Sequence, residues 1–445
     1  VSKLKVGVVN LGCDKNRIDS EIIIGNLKEK YEIVNEPEEA DVILINTCGF
    51  IETSKQESID TILEMAKYKE NNKCKVLVAT GCLTQRYGQE LLELIPELDI
   101  ILGVNDYDKL NEAIEKALEK GEKSCYTNYS DSNINIGKRT VTTGGITAYI
   151  RISEGCNYQC AYCAIPKIRG KYRSRTIEDI VAEAKELAIN GYKELILVAQ
   201  DTTNYGIDIY GGQKLHMLLQ ELSKIKSIKW IRVLYCYAEE LTEEIINEFA
   251  SNEKVCNYVD IPVQHISDDI LKAMKRRGRK KIILENIKKL REAIPNVVLR
   301  TSIIVGFPGE TEENFQELLD FVKEVNFDKL GVFKYSQEEG TAAAEMENQI
   351  EEEVKEERYH RLMTLQQKIS AEVNKKKVGR IYEVLIEEKE NGEYIGRSYE
   401  MSPEIDGEIF IKCDKIINMG EFINVNIVDA LEYDLVGKIV DNMDK

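Results

Sequence analysis

The chain has 445 residues, 43% apolar and 31% charged, with a formal net charge of −18. Such a length suits two or three domains, and the composition is that of a globular protein able to bury a core. The acidic balance argues against a nucleic-acid coat protein, which needs a basic surface, and leaves room for basic protein partners. No run approaches about 18 consecutive apolar residues, so no membrane span is expected.

The start, Val1-Ser2-Lys3-Leu4-Lys5-Val6, runs directly into a strand-like segment with no charged leader ahead of an apolar stretch. This reads as a cytoplasmic protein. Its eleven cysteines are then better explained as metal ligands or reactive thiols than as disulfides. Over the first 120 residues, short apolar runs alternate with amphipathic stretches. Val6–Val9, Val42–Ile45, Val76–Ala79 and Ile100–Leu102 read as buried parallel strands, and 16–30, 54–70, 84–94 and 106–120 as helices. That is a βα repeat, hence a small doubly wound parallel sheet. The polar stretch Thr127–Asn133 reads as a linker.

A second βα series begins near residue 147. Its candidate strands are Tyr149–Ile152, Leu195–Val198, Ile231–Leu234, Tyr258–Ile261, Val297–Val305 and Leu330–Phe333. Six units are too few for an eight-stranded barrel and suit a partial (β/α)6 barrel. A charged helix follows over 350–376. From Gly379, short alternating runs broken by Asn391-Gly392, Pro403, Asp406-Gly407 and Gly420 predict a small all-β barrel. The fold class expected is therefore α/β with a terminal all-β module.

Cys156-Asn157-Tyr158-Gln159-Cys160-Ala161-Tyr162-Cys163 sits just after the first barrel strand, at the end where barrel active sites lie. Three thiolates at this spacing can hold three irons of a 4Fe–4S cubane and leave the fourth open to chelate a ligand. Zinc would want a fourth ligand nearby, and Ala164, Ile165 and Pro166 offer none. Cys13, Cys48 and Cys82 each follow one N-terminal strand, separated by 35 and 34 residues. A parallel sheet brings all three to its carboxyl edge, where ligands bind. Each also has a glycine beside it, Gly12, Gly49 and Gly81, which lets backbone come close to a bulky group. These features favour a second three-thiolate site over three unrelated buried cysteines. Cys74, Cys125, Cys236, Cys256 and Cys413 show no ligand spacing and read as structural.

The Cys156–Cys163 motif resembles that of the radical S-adenosylmethionine superfamily. There the open iron holds the amino and carboxylate groups of S-adenosylmethionine, which one electron cleaves to a 5′-deoxyadenosyl radical. Tyr162 matches the aromatic position near the adenine. Two cysteine sets and a terminal β-module together resemble the methylthiotransferase family along nearly the whole chain. The resemblance implies a methylthiotransferase domain at 1–125, a radical core at 142–372 and a TRAM module at 374–441. Leu11–Glu21 and Asn46–Ile51 look like the branch that modifies a ribosomal protein, with Lys15 where the transfer-RNA branch typically has Met. The implied reaction puts a methylthio group on the β-carbon of an aspartate in small-subunit ribosomal protein uS12. Two 4Fe–4S clusters, S-adenosylmethionine, an electron donor and a sulfur source are implied with it.

Gln200 and Asp201 fall where the superfamily binds the methionine amino group, Gln264 follows the fourth barrel strand, and Gly306–Thr311 resembles the cofactor-facing turn. His265 reads more readily as a structural residue. Two basic islands stand out, Lys167–Arg175 with five positive residues and Lys272–Lys281 with seven. The first lies just past the cysteine motif, and with Lys15 it offers Arg169 and Arg173 as cations for a substrate carboxylate. The terminal module has nine basic and fourteen acidic residues between Asn374 and Val440, which suits a basic protein better than RNA. The alternatives are methylthiolation of transfer RNA and a non-catalytic iron–sulfur carrier. A carrier has no need of a barrel with a cofactor turn.

Overall fold

The computed structural model describes residues 3–129 and 138–440. Much of the expected linker at 127–133 lies outside the described residues, as do Val1 and Ser2. The chain divides into two compact units, one formed by 1–144, 153–174 and 336–344, the other by 145–152, 175–335 and 345–445.

The first unit is built on β1 (Lys5–Asn10), α1 (Asp14–Leu27), β2 (Glu32–Val34), β3 (Val42–Thr47), α2 (Glu52–Asn71), β4 (Val76–Gly81), α3 (Cys82–Leu94), β5 (Ile100–Leu102), α4 (Leu110–Lys120) and β6 (Ser124–Tyr126). Its sheet is parallel throughout, in the order β2-β1-β3-β4-β5-β6. Successive residues of a strand point to opposite faces, and both faces here are covered. Val42, Leu44, Val76 and Val78 pack with Ile23, Leu110 and Ile114. Ile43, Ile45, Leu77 and Ala79 pack on the other side with Ile62, Met65 and Leu91. Burial on both faces is why these strands read as unbroken apolar runs. The short strands β2 and β6 escape the sequence pattern because each is three residues long with none fully buried. By pairing on the flank of β1, β2 leaves β1, β3 and β4 as direct neighbours.

The second series opens with β7 (Thr147–Arg151). A small ribbon of β8 (Ser153–Glu154) and β9 (Arg173–Ser174) follows, enclosing α5 (Ile165–Arg169), and belongs to the first unit. The series continues in the second unit with α6 (Ile177–Ile189), β10 (Glu194–Val198), α7 (Leu215–Ser223), β11 (Trp230–Val233), α8 (Glu243–Ser251), β12 (Val255–Asp260), α9 (Asp268–Ala273), α10 (Lys280–Ala293), β13 (Val298–Val305), α11 (Glu312–Val325) and β14 (Lys329–Lys334). Its six strands form one open parallel sheet in sequence order, β7-β10-β11-β12-β13-β14. Sequential parallel strands joined by helices are the partial barrel expected from six units.

After α12 (Glu352–Lys375), the strands β15 (Ile381–Glu390), β16 (Glu393–Arg397), β17 (Ile409–Lys412), β18 (Phe422–Ala430) and β19 (Leu435–Ile439) close a barrel around Val384, Ile386, Ile409, Ile411, Val425 and Ile427. This barrel caps the amino-terminal end of the parallel sheet. Arg397 donates to Glu194 at 2.7 Å and to Glu387 at 2.6 and 2.7 Å. Arg232 donates to Glu194 at 2.9 Å and to the Tyr399 carbonyl at 2.8 Å, and the Tyr258 hydroxyl donates to Asp406 at 2.7 Å.

Burial alone would push the Glu194 carboxyl up, but the Arg397 and Arg232 guanidiniums hold it below the usual carboxylate range. A depressed carboxyl stabilises the fold above its unfolded pKa, and that contribution is lost as pH falls through the folded value. Replacing Arg397 by Met at neutral pH leaves Glu194 short of one buried partner. It should cost about 3–5 kcal/mol, read as a lower denaturant midpoint at unchanged slope. Among the described residues, no helix is long and apolar enough to cross a membrane.

Candidate functional site

Cys13, Cys48 and Cys82 follow β1, β3 and β4, three adjacent strands of the N-terminal sheet. Cys13 is the N-cap of α1 and Cys82 the first residue of α3, so both stand at helix amino termini, where thiolate charge is favoured. The loop of Cys48 is fixed by Ser58, whose hydroxyl accepts from the Cys48 N–H at 3.0 Å and donates to its carbonyl at 2.9 Å.

The neighbouring glycines bring these loops against one another. A Cβ on Gly12 would lie 2.9 Å from the Cys48 Cβ and 3.2 Å from its sulfur, and one on Gly49 would lie 2.6 Å from the Leu83 N and 2.9 Å from the Cys82 carbonyl carbon. Burial pushes the Cys82 thiol up to about 12 against the pull of Arg169, and the nearby Cys13 and Cys48 add to the rise. Cys48 and Cys82 are buried and Cys13 is exposed at the rim. Three thiolates brought together call for a cationic group, and this donor set fits an iron–sulfur cluster. Among the described residues, no group of three or more His, Cys, Asp or Glu converges closely enough to hold a single metal ion. A cubane asks for no such point of convergence, since each thiolate binds a different iron.

The second cysteine set lies in the same unit, on the segment enclosed by β8 and β9. Cys156 is buried, Cys160 and Cys163 half-buried. The Cys156 N–H donates to the Gly170 carbonyl at 3.1 Å, the Cys163 N–H to the Cys160 carbonyl at 3.1 Å, and the Tyr172 N–H to Asn157 at 3.0 Å. Tyr162 is half-buried within this loop. Cys82 packs in one apolar cluster with Val104, Ala164 and Ile168, and Ala164 directly follows Cys163 in the chain.

Of the three candidate cations, Lys15 is largely buried beside Cys13, its Nζ 3.3 Å from Asp14. Arg173 is half-buried and donates to Asn105 at 3.4 Å and to the Arg169 carbonyl at 3.2 Å. Arg169, expected as a cation for a substrate carboxylate, is instead already paired within the protein. It is fully buried, with one arm on Asp19 (2.8 Å) and Glu154 (3.2 Å) and the other on Asn16 (2.7 Å) and the Cys82 sulfur (3.5 Å). Two carboxylates already neutralise it, so it has no charge to spare for a substrate. Nothing in a single sequence pairs Arg169 with Asp19, although Asp19 lies inside the Leu11–Glu21 motif.

The remaining candidates stand in the second unit, at the carboxyl ends of its strands. Asp201, after β10, is buried and turned onto its own loop, accepting from Thr203 at 2.5 Å and from the Asn204 side chain at 2.7 Å. Burial pushes its carboxyl up to about 6. Gln200 beside it is half-buried. Gln264, after β12, has φ +70°, and Tyr235, after β11, has φ +61°. Both are strained for non-glycine residues, and such strain gathers at functional edges. Tyr235 carries no signal in the sequence.

Gly306, at φ +72°, lies against the Lys355 stem, and its N–H donates to Glu310 at 3.1 and 3.2 Å. Arg358 holds the same carboxylate at 2.7 Å. His265 Nε2 stands 3.3 Å from it, while Nδ1 accepts from the Ser267 N–H at 3.0 Å. His265 is thus a buried brace of the turn. Cys236 and Cys256 are buried, and the Cys236 sulfur lies 3.5 Å from the Thr202 hydroxyl. In the Lys272–Lys281 island, Arg276, Arg277, Lys280 and Lys281 each face a glutamate.

Residues 150–322 match the Radical SAM superfamily, 378–440 the TRAM domain, and 5–103 an uncharacterized protein family, UPF0004. The chain is 59% identical over 445 residues to the ribosomal protein uS12 methylthiotransferase RimO of Clostridium acetobutylicum, covering all of both chains. It is 61% identical over 441 residues to the same-named protein of Clostridium perfringens strain 13, covering 99% of each. Among solved structures, it resembles the radical S-adenosylmethionine methyltransferase TsrM of Kitasatospora setae (TM-score 0.55, 14% identity, 75% of this chain and 72% of that one). It also resembles the cobalamin-dependent S-adenosylmethionine radical enzyme OxsB (TM-score 0.53, 15% identity, 82% and 56%). At that identity these two likenesses speak to fold alone.

Proposed function

Because the chain belongs to the ribosomal protein uS12 methylthiotransferase (RimO) family, we propose that its two cysteine triads hold two 4Fe–4S clusters serving that family's reaction. The chain is a sulfur-inserting transferase of radical S-adenosylmethionine type, acting on ribosomal protein uS12. The reaction replaces a hydrogen on an aspartate β-carbon by a methylthio group. No side-chain base removes so strongly held a hydrogen at neutral pH, and S-adenosylmethionine at the open iron of a cluster supplies that power when bound.

In our reading, Cys156, Cys160 and Cys163 hold the cluster that receives S-adenosylmethionine, and Cys13, Cys48 and Cys82 hold an auxiliary cluster bearing the sulfur. The family resemblance assigns Tyr162, Gln200, Asp201, Gln264 and Gly306 to S-adenosylmethionine binding. Lys15 and Arg173 hold the substrate carboxylate, whose desolvation would otherwise cost several kcal/mol. The observation that carries this reading is the packing of Cys82 on Ala164 and Ile168, directly after the second cysteine set.

An external electron donor and a sulfur source complete the set of partners, and the reaction runs in the cytoplasm, on free uS12 or on the ribosome. The small barrel has a fitting face for a basic protein. An open groove there combines Val378, Leu431 and Tyr433 with Asp429, Glu432 and Asp434 against one lysine, Lys375.

Incubation with S-adenosylmethionine, reductant, a sulfur source and uS12 should exchange one hydrogen for a methylthio group at a single aspartate, seen by mass spectrometry of the digested protein. Transfer RNA in the same mixture should remain unmodified. Methylthiolated RNA beside unmodified uS12 would overturn the substrate assignment and leave the two-cluster chemistry standing.

A further inference from the structure

We infer that Arg169 is a positioning residue that locks the two cysteine sets together and raises the reduction potential of the auxiliary cluster through Cys82. This rests on the proposed role of Cys13, Cys48 and Cys82 as ligands of a second cluster. The Arg169 guanidinium touches every segment that carries a ligand, directly or through one residue. Glu154 stands two residues before Cys156, Asp19 and Asn16 lie on the helix that Cys13 caps, and the Cys82 sulfur is 3.5 Å from Nη2.

Asn16 extends the reach. Its oxygen accepts from Arg169, while its Nδ2 donates to the Leu11 carbonyl and the Thr47 carbonyl, both at 3.0 Å, just ahead of Cys13 and Cys48. Arg169, Asp19, Glu154 and Asn16 are all buried. A buried ion group seldom adds net stability over an apolar one of the same shape, so its evident gain is in fixing an arrangement. A rigid planar fork can hold four groups at set angles where an ammonium cannot. A positive hydrogen-bond donor on a ligand sulfur also stabilises the more negative, reduced cluster and so raises its potential.

The test is a redox titration of the full reconstituted enzyme followed by electron paramagnetic resonance. The core signal is recognised by its shift on adding S-adenosylmethionine. Arg169→Gln should keep about eight irons, lower the auxiliary midpoint and leave the core midpoint in place. The ratio of S-adenosylmethionine cleaved to uS12 modified should rise about tenfold or more, the usual scale for losing an outer partner of a metal ligand. Arg169→Lys, which keeps the charge without the fork, should recover part of the midpoint shift and little of the coupling.

If Arg169→Gln loses iron, adding Glu154→Gln removes a carboxylate left bare, and the same lowered midpoint is expected. An unchanged auxiliary midpoint at full iron content, or loss of iron in both variants, overturns the inference. Unaltered protein that binds only about four irons would instead defeat the second-cluster assignment on which it stands.

Discussion

Protein with Cys156, Cys160 and Cys163 all replaced by Ala should retain about four of about eight irons after anaerobic reconstitution and cleave no S-adenosylmethionine. The expectation is sharp because the segment is fixed by contacts that these thiols do not make. The Gly170 and Cys160 carbonyls take backbone N–H groups, Asn157 takes that of Tyr172, and the Ser153 hydroxyl donates to that of Tyr172 at 2.8 Å. The loop should therefore keep its shape while losing its ligands. Iron assay and the quantity of 5′-deoxyadenosine formed check the two halves separately. Full iron content in the triple variant would show that other residues hold the metal.

The reciprocal variant, with Cys13, Cys48 and Cys82 replaced by Ala, should also retain about four irons but keep its reductive cleavage activity. Methylthiolation of uS12 should fall below detection, because no site remains to bear the sulfur. Cys82 is the residue to watch. It is buried with Val104, Ala164 and Ile168, so an alanine there removes a sulfur from a small apolar layer at a cost of about 1–2 kcal/mol. Circular dichroism and the retained iron distinguish that modest loss from misfolding. A well-folded variant that keeps its remaining cluster yet no longer cleaves S-adenosylmethionine would deny the two cysteine sets separate roles.

Much of this architecture is legible in the sequence because the strands at its heart are buried on both faces. Val42–Ile45 and Val76–Ala79 have no polar residue to interrupt them, and the spacing of Cys13, Cys48 and Cys82 follows from one cysteine per strand end. What pattern reading misses lies where burial and polarity part company. Helix α1 buries Asn16, Asp19, Ser20 and Glu21 alongside Ile18, Ile22 and Ile23, and so shows no clean amphipathic stripe. Glu21 is matched by Arg139 at 2.5 Å and Thr142 at 2.7 Å, and Asp19 by Arg169 at 2.8 Å, partners 118 to 150 residues away. Such pairings are set by tertiary folding, which local periodicity cannot reach. For the same reason Arg169 reads from the sequence as one of a basic run, and in the fold as the hub of a buried acidic group.

In the sequence the small terminal barrel reads as a separate all-β module from Gly379. Its contacts make it the floor of the parallel sheet. Phe422 meets the ring of Trp230 edge-on at 4.8 Å between centroids, Asp406 receives the Tyr258 hydroxyl, and Arg397 enters beside Glu194. A chain ending at Lys375 would expose Trp230 to water and, among the described residues, leave Glu194 paired with Arg232 alone. A radical core excised at that boundary should therefore be less stable than the full chain, and a TRAM module grafted from elsewhere should need an arginine at the place of Arg397.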